Sequence, residues 1–263
     1  MKKNRVWEVF YPIFVYYLIS AFVFFALNIL LGEAQEIYML KQAISSGATI
    51  PALFALWKQD SDIEKVVYGK QKLEIGKYIP QAVFAGVSVG AVGVALNNFI
   101  AMTSLVQVSV GFQSANENFF AGEVLMQILA SCVVVPIAEE LLFRGILLKR
   151  VSLLTGEKAG ILFSAILFGV IHMNLVQFIY AFAVGILLAL IVVRTKRISL
   201  AMIGHATANL IAILRAASGV LDFSYQPTMA GIAFSMGMLI LGIGGGILLF
   251  QYSYKAGIGN KSS

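Results

Sequence analysis

VLMQILASCVVVPIAEELLFRGILL, residues 124–148, decides the fold. As a helix it rises about 37 Å at roughly 1.5 Å per residue, enough to cross the roughly 30 Å hydrocarbon core of a bilayer. Its ionisable side chains are Glu139, Glu140 and Arg144. A charge at depth costs about 2.5 kcal/mol or more, so such residues turn towards a bundle interior or a wet cavity. Glu140 and Arg144 are four apart, share a helix face and can pair. Glu139 is rotated about 100° away and has no partner on its own helix.

The rest of the chain has the same character. Of 263 residues, 59% are apolar and 12% charged. With glycine counted and tyrosine left out, the apolar share is roughly 64%, against about 45–50% for soluble proteins. Mean hydropathy is +0.87. A water-soluble globule of this size has too little core to hide that surface. A soluble enzyme, a disordered tail and a nucleic-acid binder therefore all fit poorly. The net charge of +6 fits basic inner loops facing anionic lipid. The lone Cys132 lies in an apolar run and reads as a small buried residue. The basic start followed by an apolar run of roughly 22 residues is too long for a signal-peptide core and reads as an uncleaved first span.

Apolar runs predict about eight transmembrane helices, at 8–31, 39–57, 78–105, 124–148, 159–173, 175–193, 198–216 and 228–250. The expectation is an all-α, polytopic integral membrane protein forming a single transmembrane domain over 1–263. The fifth run is short enough to be tilted or half-embedded. With the N-terminus inside, inner segments carry Lys2, Lys3 and Arg5; Lys58, Lys65, Lys70, Lys72 and Lys77; Lys149, Arg150 and Lys158; Arg194, Lys196 and Arg197; Lys255 and Lys261. The outer segments carry no Lys or Arg, and Lys41, Arg144 and Arg215 fall within or at the ends of spans. That asymmetry places both termini in the cytoplasm. The polar stretch 59–77 reads as a short cytoplasmic loop, and the outer stretch 106–122 as an amphipathic or re-entrant piece. Gly86, Gly90 and the GIGGG of 242–246 are glycines that close helix packing would explain.

Two further patterns join E-E-x-x-x-R. Phe168 and His172 stand one turn apart at the end of span five, and His205 and Asn209 one turn apart in span seven. Glu139 lies about 15 Å of helix rise from its inner end at Lys149, His205 about 12 Å from Arg197, and His172 about 21 Å from Lys158. The three can meet in the middle or inner half of the bilayer. Two chemistries remain open there. One glutamate and two histidines can hold zinc with an open position. Alternatively, a carboxylate and a histidine activate water while a second histidine and an amide donate to the oxyanion. The chain has no H-E-x-x-H.

E-E-x-x-x-R, F-x-x-x-H and H-x-x-x-N, in this order on successive spans, resemble the CAAX protease and bacteriocin-processing (CPBP, or Abi) family of intramembrane proteases. The resemblance covers 124–216, a four-helix catalytic core. It implies Glu139 as general base, His172 as holder of the same water, and His205 and Asn209 as oxyanion donors. Glu140 and Arg144 match the rest of the first motif in a supporting role, and Phe168 in packing. It implies an endopeptidase with no metal or other cofactor, zinc being the variant to test. The partners implied are a membrane-associated peptide or protein of CAAX-like, bacteriocin or pheromone type and the lipid bilayer of a bacterial cell membrane, with no nucleic acid. A second reading keeps the same fold without catalysis, as a bacteriocin-immunity or membrane regulatory scaffold protein. A third, a proton-coupled transporter, lacks any sign of paired broken helices.

Overall fold

The computed structural model describes residues 5–68 and 74–256, with side chains over 6–61 and 74–256. Every regular element among them is helical, and the protein is an all-α polytopic membrane protein. The principal helices are α1 (Arg5–Leu31), α2 (Tyr38–Tyr68), α3 (Ile75–Ala101) and α4 (Val124–Thr155). They are followed by α5 (Glu157–Val170), α6 (Leu175–Thr195), α7 (Ile198–Ser218) and α8 (Met229–Lys255).

The eight expected segments are thus all helical, and six qualify as spans by length and apolarity: α1, α3, α4, α6, α7 and α8. The other two have evident reasons to fall short. Helix α5 has 14 residues, or about 21 Å. Helix α2 is long, but Lys41, Gln42, Ser45, Ser46 and Thr49 dilute its apolar part and beyond Trp57 its sequence is charged.

The stretch 59–77 is largely helical and not a loop. Helix α2 continues to Tyr68 and α3 starts at Ile75. The extension is anchored where Arg150 of α4 grips Asp60 through Nε and Nη2, at 2.8 and 3.2 Å. Lys149 Nζ donates to the Asp60 carbonyl at 2.7 Å. Of the basic residues used for orientation, Lys2, Lys3, Lys70, Lys72 and Lys261 lie outside the described residues, as do the side chains of Arg5 and Lys65. The outer stretch forms two short helices, Leu105–Val108 and Val110–Phe120, the second capped by Ser109 Oγ accepting from the Phe112 N–H.

Helix α4 is the axis of the bundle. Leu142, Phe143, Ile146 and Leu147 on it are buried against Val9 and Tyr16 of α1, Leu53 of α2 and Phe168 of α5. A second core joins Ala85 and Val89 of α3 to Leu188 of α6, Leu200 of α7 and Leu249 of α8. Helix α3 runs along both α7 and α8. At the α3–α8 crossing Ser88 Oγ donates to the Gly242 carbonyl at 2.8 Å, and a Cβ on Gly242 would stand 2.6 Å from Val92 Cγ2. Gly86 and Gly90 face Thr207 and Ile211 of α7, so the G-x-x-x-G is a packing surface. Towards the other end of α7, buried Arg215 donates to Asn98 Oδ1 at 3.0 Å and Ser224 Oγ at 2.7 Å.

Candidate active site

The site begins with the backbone of α4, which is continuous but not uniformly α-helical. It widens into π turns at Leu129–Val134 and Leu141–Leu147, on either side of Glu139 and Glu140. Pro136 explains the first. A proline inside a helix has no N–H and its ring presses on the carbonyl four residues back, which a wider turn relieves. In this turn the Val135 N–H reaches past Ser131 to the Ala130 carbonyl. The second widening leads the Phe143 carbonyl to accept from both the Leu148 N–H and Ser164 Oγ of α5, the latter at 2.9 Å.

Glu140 and Arg144 form the expected pair, Nη1 to Oε1 at 2.9 Å, with both side chains fully buried. Arg144 Nη2 also donates to the Gly185 carbonyl of α6 at 3.2 Å. Gly185 permits this approach, since a Cβ there would stand 3.2 Å from Arg144 Nη2. The guanidinium lies over the Phe168 ring, 4.2 Å from its centroid. A desolvated cation on an aromatic face gains about 2 kcal/mol.

His205 lies between the two glutamates. Its Nδ1 is 3.0 Å from Glu140 Oε1 and its Nε2 is 3.8 Å from Glu139 Oε2. A carboxylate paired with arginine only accepts, so Nδ1 carries the hydrogen and Nε2 faces Glu139. The pairing with Glu140 spans 65 positions and no spacing rule announces it.

His172 stands just beyond the end of α5. Its Nδ1 donates to the Phe168 carbonyl at 2.9 Å, which leaves Nε2 as the nitrogen outside that bond. Met173, at φ +57°, breaks the helix, and Asn174 Nδ2 donates to the His172 carbonyl at 2.9 Å. Phe168 joins the two histidines: its ring packs edge-on against His172 at 5.4 Å and His205 at 5.6 Å between centroids. Among the described residues no direct hydrogen bond links Glu139 and His172. Asn209 Nδ2 donates to the Ser131 carbonyl at 2.7 Å.

The seven residues of the three motifs therefore assemble on α4, the end of α5, and α7. Three contributors carried no sequence signal of function. Tyr16, in the middle of α1, is hydrogen-bonded to Ser46 and buried in the core that holds Phe143 and Phe168. Ser131 contributes only a main-chain carbonyl, and Gly185 only the absence of a side chain. Pro136 inside an apolar span was the visible hint for the second of these. Among the described residues no group of three or more His, Cys, Asp or Glu is arranged to hold a metal ion.

Residues 121–211 match the family described as type II CAAX prenyl endopeptidase Rce1-like, and the matched segment contains all seven motif residues. The motif resemblance is borne out over that segment. A curated protein of Bacillus subtilis (strain 168), named "Putative membrane peptidase YdiL", is 29% identical over 101 residues. That stretch is 38% of this chain and 41% of the relative, so the match spans less than half of either. No solved structure matches the chain significantly.

Proposed function

We propose that the protein is an intramembrane endopeptidase that hydrolyses a peptide bond in a membrane-associated peptide or protein, of CAAX-like or of bacteriocin or pheromone type. The observation that carries this reading is the placement of His205 between Glu139 and Glu140, with Arg144 and Phe168 holding the cluster in the interior. In the cycle, Glu139 takes a proton from a water that also hydrogen-bonds to His172 Nε2. The water oxygen attacks the scissile carbonyl carbon, and the carbonyl becomes an oxyanion. The second N–H of Asn209 and Nε2–H of His205 donate to it. Because Nδ1–H of His205 is committed to Glu140, donation from Nε2 requires a hydrogen on both ring nitrogens, as in the imidazolium. Collapse breaks the C–N bond, and Glu139 returns its proton to the departing amine. The reaction needs no metal. The bacterial cell membrane, with both termini cytoplasmic, is the proposed location.

The test uses purified protein in proteoliposomes and a panel of fluorogenic peptides, with and without a prenylated cysteine. Wild type should cleave at least one, and Glu139→Gln should reduce its turnover by about 10³-fold or more while remaining folded, since an amide cannot accept the proton. Dialysis against a strong chelator should leave wild-type activity unchanged. Activity lost on chelation and restored by zinc alone would make His205 a ligand instead of a donor. The engagement of His205 and Asn209 in interhelical bonds also favours one other reading, a non-catalytic immunity or regulatory scaffold. Failure to cleave any peptide, with Glu139→Gln still conferring the cellular phenotype of the wild type, would select that reading.

A further inference from the structure

The Ser131 carbonyl is unusual in having no donor from its own helix. In an α-helix it would receive the Val135 N–H, but that N–H goes to Ala130. In the π turn it would receive the N–H of residue 136, which is proline and has none. A buried carbonyl without a partner is costly. Asn209 Nδ2 fills the role from α7, at 2.7 Å.

We infer that Pro136 is a positioning residue: by withholding a main-chain donor from Ser131, it reserves that carbonyl to hold the Asn209 amide in one orientation. The amide has two hydrogens. One is anchored on Ser131, so the other keeps a fixed direction on the face of α7 that also carries His205, one turn away. Pro136 also lies three residues before Glu139 on α4. The same local feature therefore sets the position of the carboxylate and the orientation of the amide across from it. The functional consequence rests on the proposed role of Asn209 as an oxyanion donor, whereas the structural one does not.

Pro136→Ala supplies the missing N–H, so Ser131 gains a helical donor and Asn209 competes with it. The experiment uses full-length protein in nanodiscs, carrying 15N-asparagine and 13C-carbonyl serine. Asn209→Ala should shift the Ser131 carbonyl resonance upfield, which checks the wild-type bond even if a proline variant folds poorly. In Pro136→Ala, the Asn209 side-chain amide protons should move upfield and exchange with water faster. On whichever prenylated or unprenylated fluorogenic peptide the wild type cleaves, kcat should fall about 10-fold or more with KM changed less than two-fold. Thermal stability should not fall in parallel, because replacing a mid-helix proline favours the helix. An Asn209 amide spectrum indifferent to Pro136→Ala, or a Ser131 carbonyl indifferent to Asn209→Ala, would overturn the inference. If the amide responds but no peptide is cleaved by the wild type, the positioning stands and the protease reading falls.

Discussion

Arg144 bears more of the site than its supporting position in the motif suggests. It pairs with Glu140, caps a carbonyl of α6 and covers Phe168, whose ring also touches both histidines. Arg144→Ala should therefore cost about 3–5 kcal/mol of stability, because the buried Glu140 carboxylate loses its arginine and keeps only the His205 N–H. Unfolding in a denaturing detergent titration measures it. The double variant Glu140→Gln with Arg144→Met should recover part of that loss but not the activity. A double variant no more stable than Arg144→Ala would show that the two side chains are not partners. At this scale the sequence was half legible. The pair at i and i+4 follows from helix geometry. The link from Glu140 to His205 does not, since it depends on how α4 and α7 cross.

Helix limits were the most legible feature, because the hydrocarbon thickness sets a minimum length for every apolar run. Six spans start and stop close to where the apolar runs do. The two segments that fall short, α2 and α5, are the most polar and the shortest. What no hydropathy pattern contains is the internal register of α4. Its π turns depend on Pro136 and on lateral donors, Asn209 and Ser164, contributed by helices made later in the chain. Glycine spacing, by contrast, announced close packing correctly. Gly242→Leu should force α3 and α8 apart at Val92 and Ser88, with a loss of about 1–3 kcal/mol. Gly244→Leu should be nearly neutral, since nothing lies within 4 Å of a Cβ built there. Midpoints of thermal unfolding for the two variants compare them directly. Equal midpoints would mean that α8 does not pack through Gly242.

The whole molecule sets a lipid-facing first helix against better-buried third and fourth helices. Phe22, Phe25 and Leu30 of α1 are more than 60% exposed, as suits a helix bordered by acyl chains. The basic residues collect on one side in sequence, which sets the proposed orientation. In a Cys132→Ser background, Ser114→Cys should react with an impermeant thiol reagent applied to intact cells. Glu157→Cys should react only after permeabilisation. The opposite pattern would invert the orientation and place both termini outside.

Within this architecture the self-contained ion pair on α4 has a consequence for biosynthesis. His205 enters the chain 65 positions after Glu140, which at about 5–20 residues per second is roughly 3–13 s later. During that interval α4 must reside in the bilayer without α7. Glu140 and Arg144, sitting on one turn, neutralise each other from the moment that turn forms. The nascent helix thus carries its own counter-charge through insertion, and only Glu139 must wait for the histidine that will face it.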